Sequence, residues 1–374
     1  MSKFTDFYPA AVATGFPFTG SAEVTGSVDV TGSVSFVYEG ATQLSSFAWS
    51  AGGNLNTARR SLSGAGTKTA GLAFGGNTTV SVNSTEEYNG TAWSNAPSNM
   101  IITRQGFAGS GTQTAALAFG GFRSQTTSII SNAEEYNSGT WSAAPSNMII
   151  ARDNFTGVGL QQSTLAFGGN DPTITNATEE YNSGTWSNAP SNMIIARRST
   201  GASGTQTAAL AFGGDTPVFV TATEEYNSGT WSSAPSNMII ARRLLAGSGT
   251  QTTALAFGGL TPTQTGATEQ YNSGTWSTLG ASMITARSNF ANDSTPSLQT
   301  SAFAAGGGTP TNVANTEEFT GTRGQNYAWS TDTNMITARE TLAGAGTQTT
   351  ALAFGGTTGA TTNATEEYNS GTWS

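Results

Sequence analysis

The stretch from Met193 to Trp231 reads MIIARRSTGASGTQTAALAFGGDTPVFVTATEEYNSGTW, and it is the fullest copy of a unit that occurs seven times between Ala58 and Ser374. Every copy contains a Gly-Gly doublet, and successive doublets lie 45 to 49 residues apart. The doublets are Gly75-Gly76, Gly120-Gly121, Gly168-Gly169, Gly213-Gly214, Gly258-Gly259, Gly306-Gly307 and Gly355-Gly356. A repeat of this length indicates a propeller, a solenoid or another array.

Each unit has the pattern of four short strands. Apolar or β-favouring runs are separated by clusters of Gly, Asn, Ser, Thr and Pro, and helical periodicity is missing. We name the strands A (after the Arg), B (ALAFGG), C (ATEEY) and D (TWS and the residues that follow). Four antiparallel strands in about 45 residues describe a propeller blade. The sequence therefore predicts an all-β, seven-bladed propeller over residues 47–374.

The recurring residues resemble the kelch repeat. Arg197 precedes Gly213 by sixteen residues, and it is followed further along by a Glu two before a Tyr and then by a Trp. The resemblance covers residues 47–374 and implies a kelch-like β-propeller. It departs from the usual pattern in the Tyr-to-Trp interval, which is five residues in six of the seven units. The NSGT in this interval suits a tight hairpin between strands C and D.

Composition removes several classes of function. The chain has no Cys and no His, which excludes thiolate metal sites, Cys nucleophiles, His bases and disulfides. We therefore expect no metal, no cofactor and no enzyme activity. A net charge of −9 with only two Lys argues against nucleic acid as a partner. Without a long apolar run or a signal-peptide pattern, we expect a protein that neither inserts into membranes nor follows conventional secretion.

Residues 1–46 are predicted to form a docking peptide and a stalk. The first part carries five aromatic residues, Phe4, Phe7, Tyr8, Phe16 and Phe18. A loose terminus with some buried rings would account for them equally well. A six-residue repeat follows from Thr19 to Phe36 as TGSAEV, TGSVDV and TGSVSF. Three such repeats would need the same segment of other subunits to bury a core, which indicates a homo-oligomer, unless they form a hairpin packed on the propeller.

The propeller begins with an unpaired D strand. LSSFAWSAGGNLNTARR, which starts at Leu44, aligns with the end of a unit and places Trp49 at the Trp position. We expect this strand to complete or flank the last blade and close a seven-bladed ring. Alternatively, Gly371–Ser374 supplies that D strand and Trp49 packs outside it.

Comparison of the units with one another separates scaffold from surface. The Arg column and the Glu column are complete, and we expect them to form buried ion pairs that hold the scaffold. Their members are Arg59, Arg104, Arg152, Arg197, Arg242, Arg287 and Arg339, and Glu86, Glu134, Glu179, Glu224, Glu269, Glu317 and Glu366. The second acidic column is interrupted by Gln270 and the Tyr column by Phe319, while Trp and Met recur as expected packing residues.

The units differ mainly in the B–C loop and in the residue after the column Arg. In an up-and-down sheet these two regions share one face, so we predict a recognition surface there, although neutral drift of exposed loops would give the same variation. The candidate ligand-binding residues are Arg60, Phe122, Arg123, Asp153, Asp171, Arg198, Asp215 and Arg243.

The sixth unit carries two insertions on the opposite face. Its A–B segment is SNFANDSTPSLQT, and its C–D turn is expanded within TGTRGQNYAW. Since a D strand runs away from the C–D face, a stalk that precedes Trp49 should leave from this same face. We expect residues 1–46 and these insertions to contact neighbouring subunits or other proteins of a larger particle.

Together, the aromatic peptide, the stalk, the near-identical polar repeats and the absence of Cys and of a signal peptide resemble bacteriophage structural proteins. This resemblance implies a non-enzymatic fibre or adhesin on the virion surface, with propeller loops that bind a host-surface glycan or protein. A decoration or scaffold protein without receptor binding is the alternative. A glycan-active enzyme is less well supported, because NSGTW resembles the sialidase Asp-box but lacks its Asp. The candidate carboxylates, Asp153, Asp171, Asp215 and Asp293, are spread over the blades without an obvious pair.

Overall fold

The computed structural model describes residues 46–293 and 299–322 and the backbone of four later strands. These residues form strands and turns, and none of them forms a helix that could cross a membrane. Six four-stranded antiparallel sheets are the blades of a closed β-propeller. Their innermost A strands contact one another in a complete circle, and the last of them contacts the first.

The strands follow the order predicted for each unit. β1 is Ser46–Gly52. Blade I contains β2 Ser63–Thr67, β3 Ala70–Phe74, β4 Thr85–Tyr88 and β5 Trp93–Asn95. Blade II contains β6 Ala108–Gly111, β7 Ala115–Phe119, β10 Ala133–Asn137 and β11 Thr140–Ala143, with a small hairpin of β8 Phe122–Arg123 and β9 Ser128–Ile129 in its B–C loop. Blade III contains β12 Thr156–Leu160, β13 Ser163–Phe167, β16 Thr178–Asn182 and β17 Thr185–Asn188, with a small hairpin of β14 Asn170–Asp171 and β15 Thr173–Ile174. Blade IV contains β18 Gly201–Gly204, β19 Ala208–Phe212, β20 Thr223–Asn227 and β21 Thr230–Ser233. Blade V contains β22 Ala246–Gly249, β23 Thr253–Phe257, β24 Thr268–Asn272 and β25 Thr275–Thr278. Blade VI contains β26 Ala291–Asn292, β27 Ser301–Ala305 and β28 Thr316–Thr322, and β1 is its outer strand.

The prediction of seven blades is wrong, because the ring closes with six. β1 pairs with the full length of β28 and places Trp49 opposite Phe319, the register in which Trp141 lies opposite Tyr136. The Trp49 strand therefore closes the ring as expected, but as the D strand of the sixth blade and not of the seventh. The seventh unit forms a separate four-stranded sheet in the same order, with β29 Ala343–Gly346, β30 Thr350–Phe354, β31 Thr365–Asn369 and β32 Thr372–Trp373.

A circle of six backbone hydrogen bonds closes the ring at one end of the axis. In each bond, a residue two positions after the column Arg donates its N–H to the carbonyl of its counterpart in the preceding blade. The circle runs through Ser61, Gly106, Asn154, Ser199, Leu244 and Asn289, and returns from Ser61 to the Asn289 carbonyl. All six residues have positive φ, between 51° and 59°.

The hydrophobic core lies between neighbouring blades. Each cluster joins aromatic residues of one blade to those of the next, as where the Phe119 ring of blade II lies 5.0 Å from Trp186 of blade III.

The C–D turns are short, and in blade II both central residues, Ser138 and Gly139, have positive φ. This conformation is typical of type I′ turns, so NSGT forms the predicted tight hairpin.

The predicted stalk and most of the sixth-unit insertions lie outside the described residues. By contact pattern the chain divides into Met1–Thr42 and Gln43–Ser374. β1 begins with Ser46 opposite Thr322, which is the end of a C strand. β1 therefore begins at the C–D face, as expected of a D strand.

Candidate functional site

The repeated charged columns form the scaffold that positions the loops. Each column Arg of the six described units is fully buried and contacts the Glu of its own unit. The pairs are Arg59–Glu86, Arg104–Glu134, Arg152–Glu179 (3.0 Å), Arg197–Glu224 (3.0 Å), Arg242–Glu269 (3.2 Å) and Arg287–Glu317 (2.8 Å). The expected ion pairs are thus present in these units, and the side chains of Arg339 and Glu366 lie outside the described residues.

Each of these carboxylates also holds the chain that leads into its blade. Glu224 Oε2 and Oε1 accept hydrogen bonds from the backbone N–H groups of Ile194 and Ile195, at 2.7 and 3.4 Å. Burial lowers the pKa of the Arg197 guanidinium, and the charge of Glu224 opposes this change. Burial raises the pKa of Glu179, and the charge of Arg152 and two backbone N–H donors oppose this change. These networks fix the residue that follows each column Arg, which is where the units begin to differ.

The second acidic column joins neighbouring blades. The Tyr226 hydroxyl donates to Glu180 Oε1 of the preceding blade at 2.6 Å, and the same contact joins Tyr88 to Glu318 at 2.6 Å across the site of ring closure. The interruptions at Gln270 and Phe319 lie on the same interface, between blades V and VI. The loss of the carboxylate therefore coincides with the loss of the hydroxyl that would have bound it.

The variable positions share one face, as the alternation of strands predicted. The residue after each column Arg forms a backbone bridge with the residue after the Gly-Gly doublet in all six blades. The bridges are Arg60–Asn77, Gln105–Phe122, Asp153–Asn170, Arg198–Asp215, Arg243–Leu260 and Ser288–Gly308. The D–A connections and B–C loops are thus joined around the mouth of the axis.

A funnel opens on this face above blades I to III. It has a volume of about 480 Å³, and four of the six residues of the hydrogen-bonded circle line it. Its lining residues are Arg60, Ser61, Asn77, Thr79, Gln105, Gly106, Phe122, Ser124, Asp153, Asn154 and Asn289. On the other side of the circle, the A strands enclose a narrow channel of about 130 Å³.

The longer B–C loop of blade II builds one wall of the funnel. Ser124 Oγ accepts a hydrogen bond from the Ser81 N–H at 2.7 Å, and Gln125 Nε2 donates to the Ser81 carbonyl at 2.6 Å. These contacts dock the loop on blade I and place Phe122, which is half-buried, in the funnel wall. The three extra residues of this loop therefore shape the site.

The structure brings three of the eight candidate residues, Arg60, Phe122 and Asp153, together in the funnel. Arg60 is exposed, with its side chain beside Gly308 of blade VI, and forms no ion pair with any described residue. Asp153 is half-buried, and within the described part of the chain its Oδ1 has no hydrogen-bond partner. Burial raises the pKa of Asp153, opposed by hydrogen bonds from Asn154 and Asn170 and by the charge of Arg198.

Three other candidates form a cluster of ion pairs over blades IV and V. Buried Asp215 accepts from Arg198 Nε at 3.1 Å and lies 3.5 Å from Arg243 Nη1, and Arg243 also stacks 5.3 Å from the Phe219 ring centroid. The last two, Arg123 and Asp171, lie in the small B–C hairpins and do not line the funnel. The predicted set is therefore divided between an open site, a paired cluster and two loop positions.

Sequence reasoning missed the polar residues that complete the funnel, chiefly Asn77, Gln105, Asn154 and Asn289. The sequence contains one pattern that could have identified Asn154 and Asn289. The second residue after the column Arg is Ser, Gly or Asn in five of the six described units, and Gly and Asn tolerate the left-handed conformation that the circle requires.

The described residues contain no group of three or more His, Cys, Asp or Glu side chains placed to hold a metal ion. Neither a scan against protein-family models nor a search of curated proteins found a match to this chain.

Proposed function

We propose that this chain is a kelch-like, non-enzymatic recognition protein of a bacteriophage virion. Residues 1–46 attach it to other virion proteins, with the sixth-unit insertions on the same side, and the face that carries the B–C loops binds a host-surface glycan or protein. It acts as a homo-oligomer on the particle surface, where repeated weak contacts add up to avidity.

The division between the repeated interior and the variable face is the observation that carries this proposal. The ion pairs are the same in six described blades, whereas the bridged loop positions above them range from Arg and Asp to Phe, Leu and Gly. A rigid scaffold that presents differing loops on one face suits recognition. β1 begins on the opposite, C–D face.

The same geometry offers less to a hydrolase. Glycoside hydrolysis usually needs two carboxylates about the scissile bond, and Asp153 is the one carboxylate among the described residues that line the funnel. Asp215 is engaged by two arginines outside it.

An exchange of loops tests the proposed function. Replacing residues 122–132 of blade II by residues 215–222 of blade IV changes the variable face and leaves the Arg–Glu pairs intact. We expect reduced binding of the protein to host cells, with particle assembly and melting temperature unchanged. If binding is unchanged and assembly fails instead, the protein has the decoration role and not the adhesive one. Imaging the labelled protein at the tip of the particle would agree with adhesion, whereas a position flat on a shell would contradict it.

A further inference from the structure

We infer that the funnel over blades I to III binds the terminal unit of a neutral glycan, with Asp153 and Arg60 as its main hydrogen-bonding groups. This inference rests on the proposed function and gives its recognition face a particular site and a ligand class.

The funnel differs from the face over blades IV and V in that its two charged side chains form no ion pair with a described residue. Over blades IV and V, Arg198 and Arg243 are both directed to Asp215. Over blades I to III, Asp153 and Arg60 line the same cavity, and no ion pair engages either of them among the described residues.

The chemistry of the lining matches sugar hydroxyls. A hydroxyl both donates and accepts, so neighbouring hydroxyls can donate to Asp153 and accept from Arg60. The side-chain amides of Asn77 and Gln105 supply one further acceptor and donor group each. Phe122 adds an aromatic surface on which the C–H face of a pyranose ring can pack. A volume of about 480 Å³ lies within the range of small-molecule sites.

The charge of the funnel favours a neutral sugar over an acidic one. Asp153 would repel the carboxylate of a uronic or sialic acid, and the nearby Arg198 is already directed to Asp215. Arg60 remains as the single unpaired cation among the described lining residues. One cation and one carboxylate facing a cavity suit hydroxyl groups better than an anion.

Saturation-transfer NMR on the full-length protein tests this inference. The probes are glucose, galactose, mannose, N-acetylglucosamine and N-acetylgalactosamine, with glucuronic and sialic acid for comparison. The test variants are Asp153→Asn and Arg60→Gln. Their matched controls are Asp171→Asn and Arg123→Gln, because these residues carry the same charges on the same face but lie outside the funnel. Arg60 is exposed, so its variant should fold even if Asp153→Asn does not.

We expect at least one neutral sugar to bind, and each test variant to weaken its Kd about tenfold or more, as for lost hydrogen bonds to charged groups. The controls should bind like the parent. Binding of the acidic sugars alone, binding of none, or equal losses in tests and controls would each overturn the inference. If Asp153→Asn still binds host cells while the loop exchange does not, the recognition face stands and the funnel assignment fails.

Discussion

Arg197 and Glu224 show at the scale of single residues how a chain with few charges uses them. Both side chains are buried, so a variant that removes one leaves the other as an uncompensated charge. We predict that Arg197→Ala lowers the free energy of unfolding by about 3 to 5 kcal/mol. Arg60→Ala is the matched control, because Arg60 is exposed and should change stability by no more than about 0.5 kcal/mol. Urea denaturation of both variants measures this difference, and equal stabilities would contradict the prediction.

Trp186 is the one D-strand tryptophan of the described blades whose buried Nε1 lacks a partner. Elsewhere this group donates to a Thr at the start of the preceding C strand, as Trp231 does to Thr178 at 3.0 Å, but blade II has Ala133 at that position. We predict that Ala133→Thr stabilises the protein by about 1 kcal/mol because it restores the acceptor. Thr178→Ala should have the opposite effect, which calorimetry or urea denaturation can check. A destabilising Ala133→Thr would show that the added side chain does not fit.

At the scale of elements, the sequence predicted the strands, their order and the hairpin turns, because these depend on local patterns within one unit. It did not predict which D strand completes the sixth blade. Ala48–Ser50 and Ala328–Ser330 both read AWS, so either segment could pair with β28 by sequence alone. The structure gives this edge to β1, where Trp49 Nε1 donates to Thr268 of blade V, as the D-strand tryptophans of the other described blades except Trp186 donate to a Thr. The choice depends on contacts between residues far apart in the chain, which periodicity does not record.

The pairing of β1 with β28 can be tested with a disulfide, because the chain has no Cys of its own. Ala48 and Thr320 lie directly opposite each other and are both exposed. We predict that Ala48→Cys with Thr320→Cys oxidises readily and stabilises the protein by about 2 to 4 kcal/mol relative to its reduced form. The single variant Ala48→Cys serves as the control for oxidation without a bridge. Failure of the pair to cross-link in the folded protein would mean that another strand occupies this edge.

At the scale of the whole molecule, the number of blades follows from closure and not from the unit. The A strands approach so closely that a Cβ added to Gly247 would lie 2.1 Å from the Ala202 carbonyl oxygen, and one at Gly64 would lie 2.5 Å from that of Asn292. The seventh unit has Gly344 at the same position, so the sequence does not distinguish a blade inside the ring from one outside it.

The sequence also predicts the candidate site only in part. Alternation of strands was enough to predict the shared face, but whether a charged residue there is open or paired depends on its neighbours around the ring. Arg60 and Arg198 occupy equivalent positions, yet only Arg198 has a carboxylate, Asp215, opposite it. The paired cluster and the open funnel could therefore be told apart only once the structure showed which positions are bridged.

The tyrosine contacts between blades predict how the whole ring responds to alkaline pH. Tyr88, Tyr136, Tyr181, Tyr226 and Tyr271 are fully buried. Burial, together with the hydrogen bond to Glu318, raises the pKa of Tyr88 to about 12. Burial and the equivalent Glu contacts raise the pKa of the other four as well.

An unfolded tyrosine loses its proton near pH 10, whereas these tyrosines keep theirs while the protein is folded. Above pH 10 the unfolded state therefore binds fewer protons than the folded state, and the free energy of unfolding must fall as the pH rises. Each tyrosine contributes up to about 1.4 kcal/mol per pH unit to this fall. Its contribution to stability is fully present below pH 10 and is lost as the pH rises through the folded-state pKa.

We predict that urea midpoints are level between pH 8 and 9.5 and decrease steeply above pH 10, with tyrosinate absorbance rising together with unfolding. Tyr226→Phe reproduces the situation of Phe319, which has no hydroxyl to ionise, and should make the decrease shallower by the contribution of one tyrosine. Phe319→Tyr together with Gln270→Glu should make it steeper, because the pair restores the contact missing between blades V and VI. If the tyrosines titrate near pH 10 while the protein stays folded, their hydroxyls are not held between the blades as described.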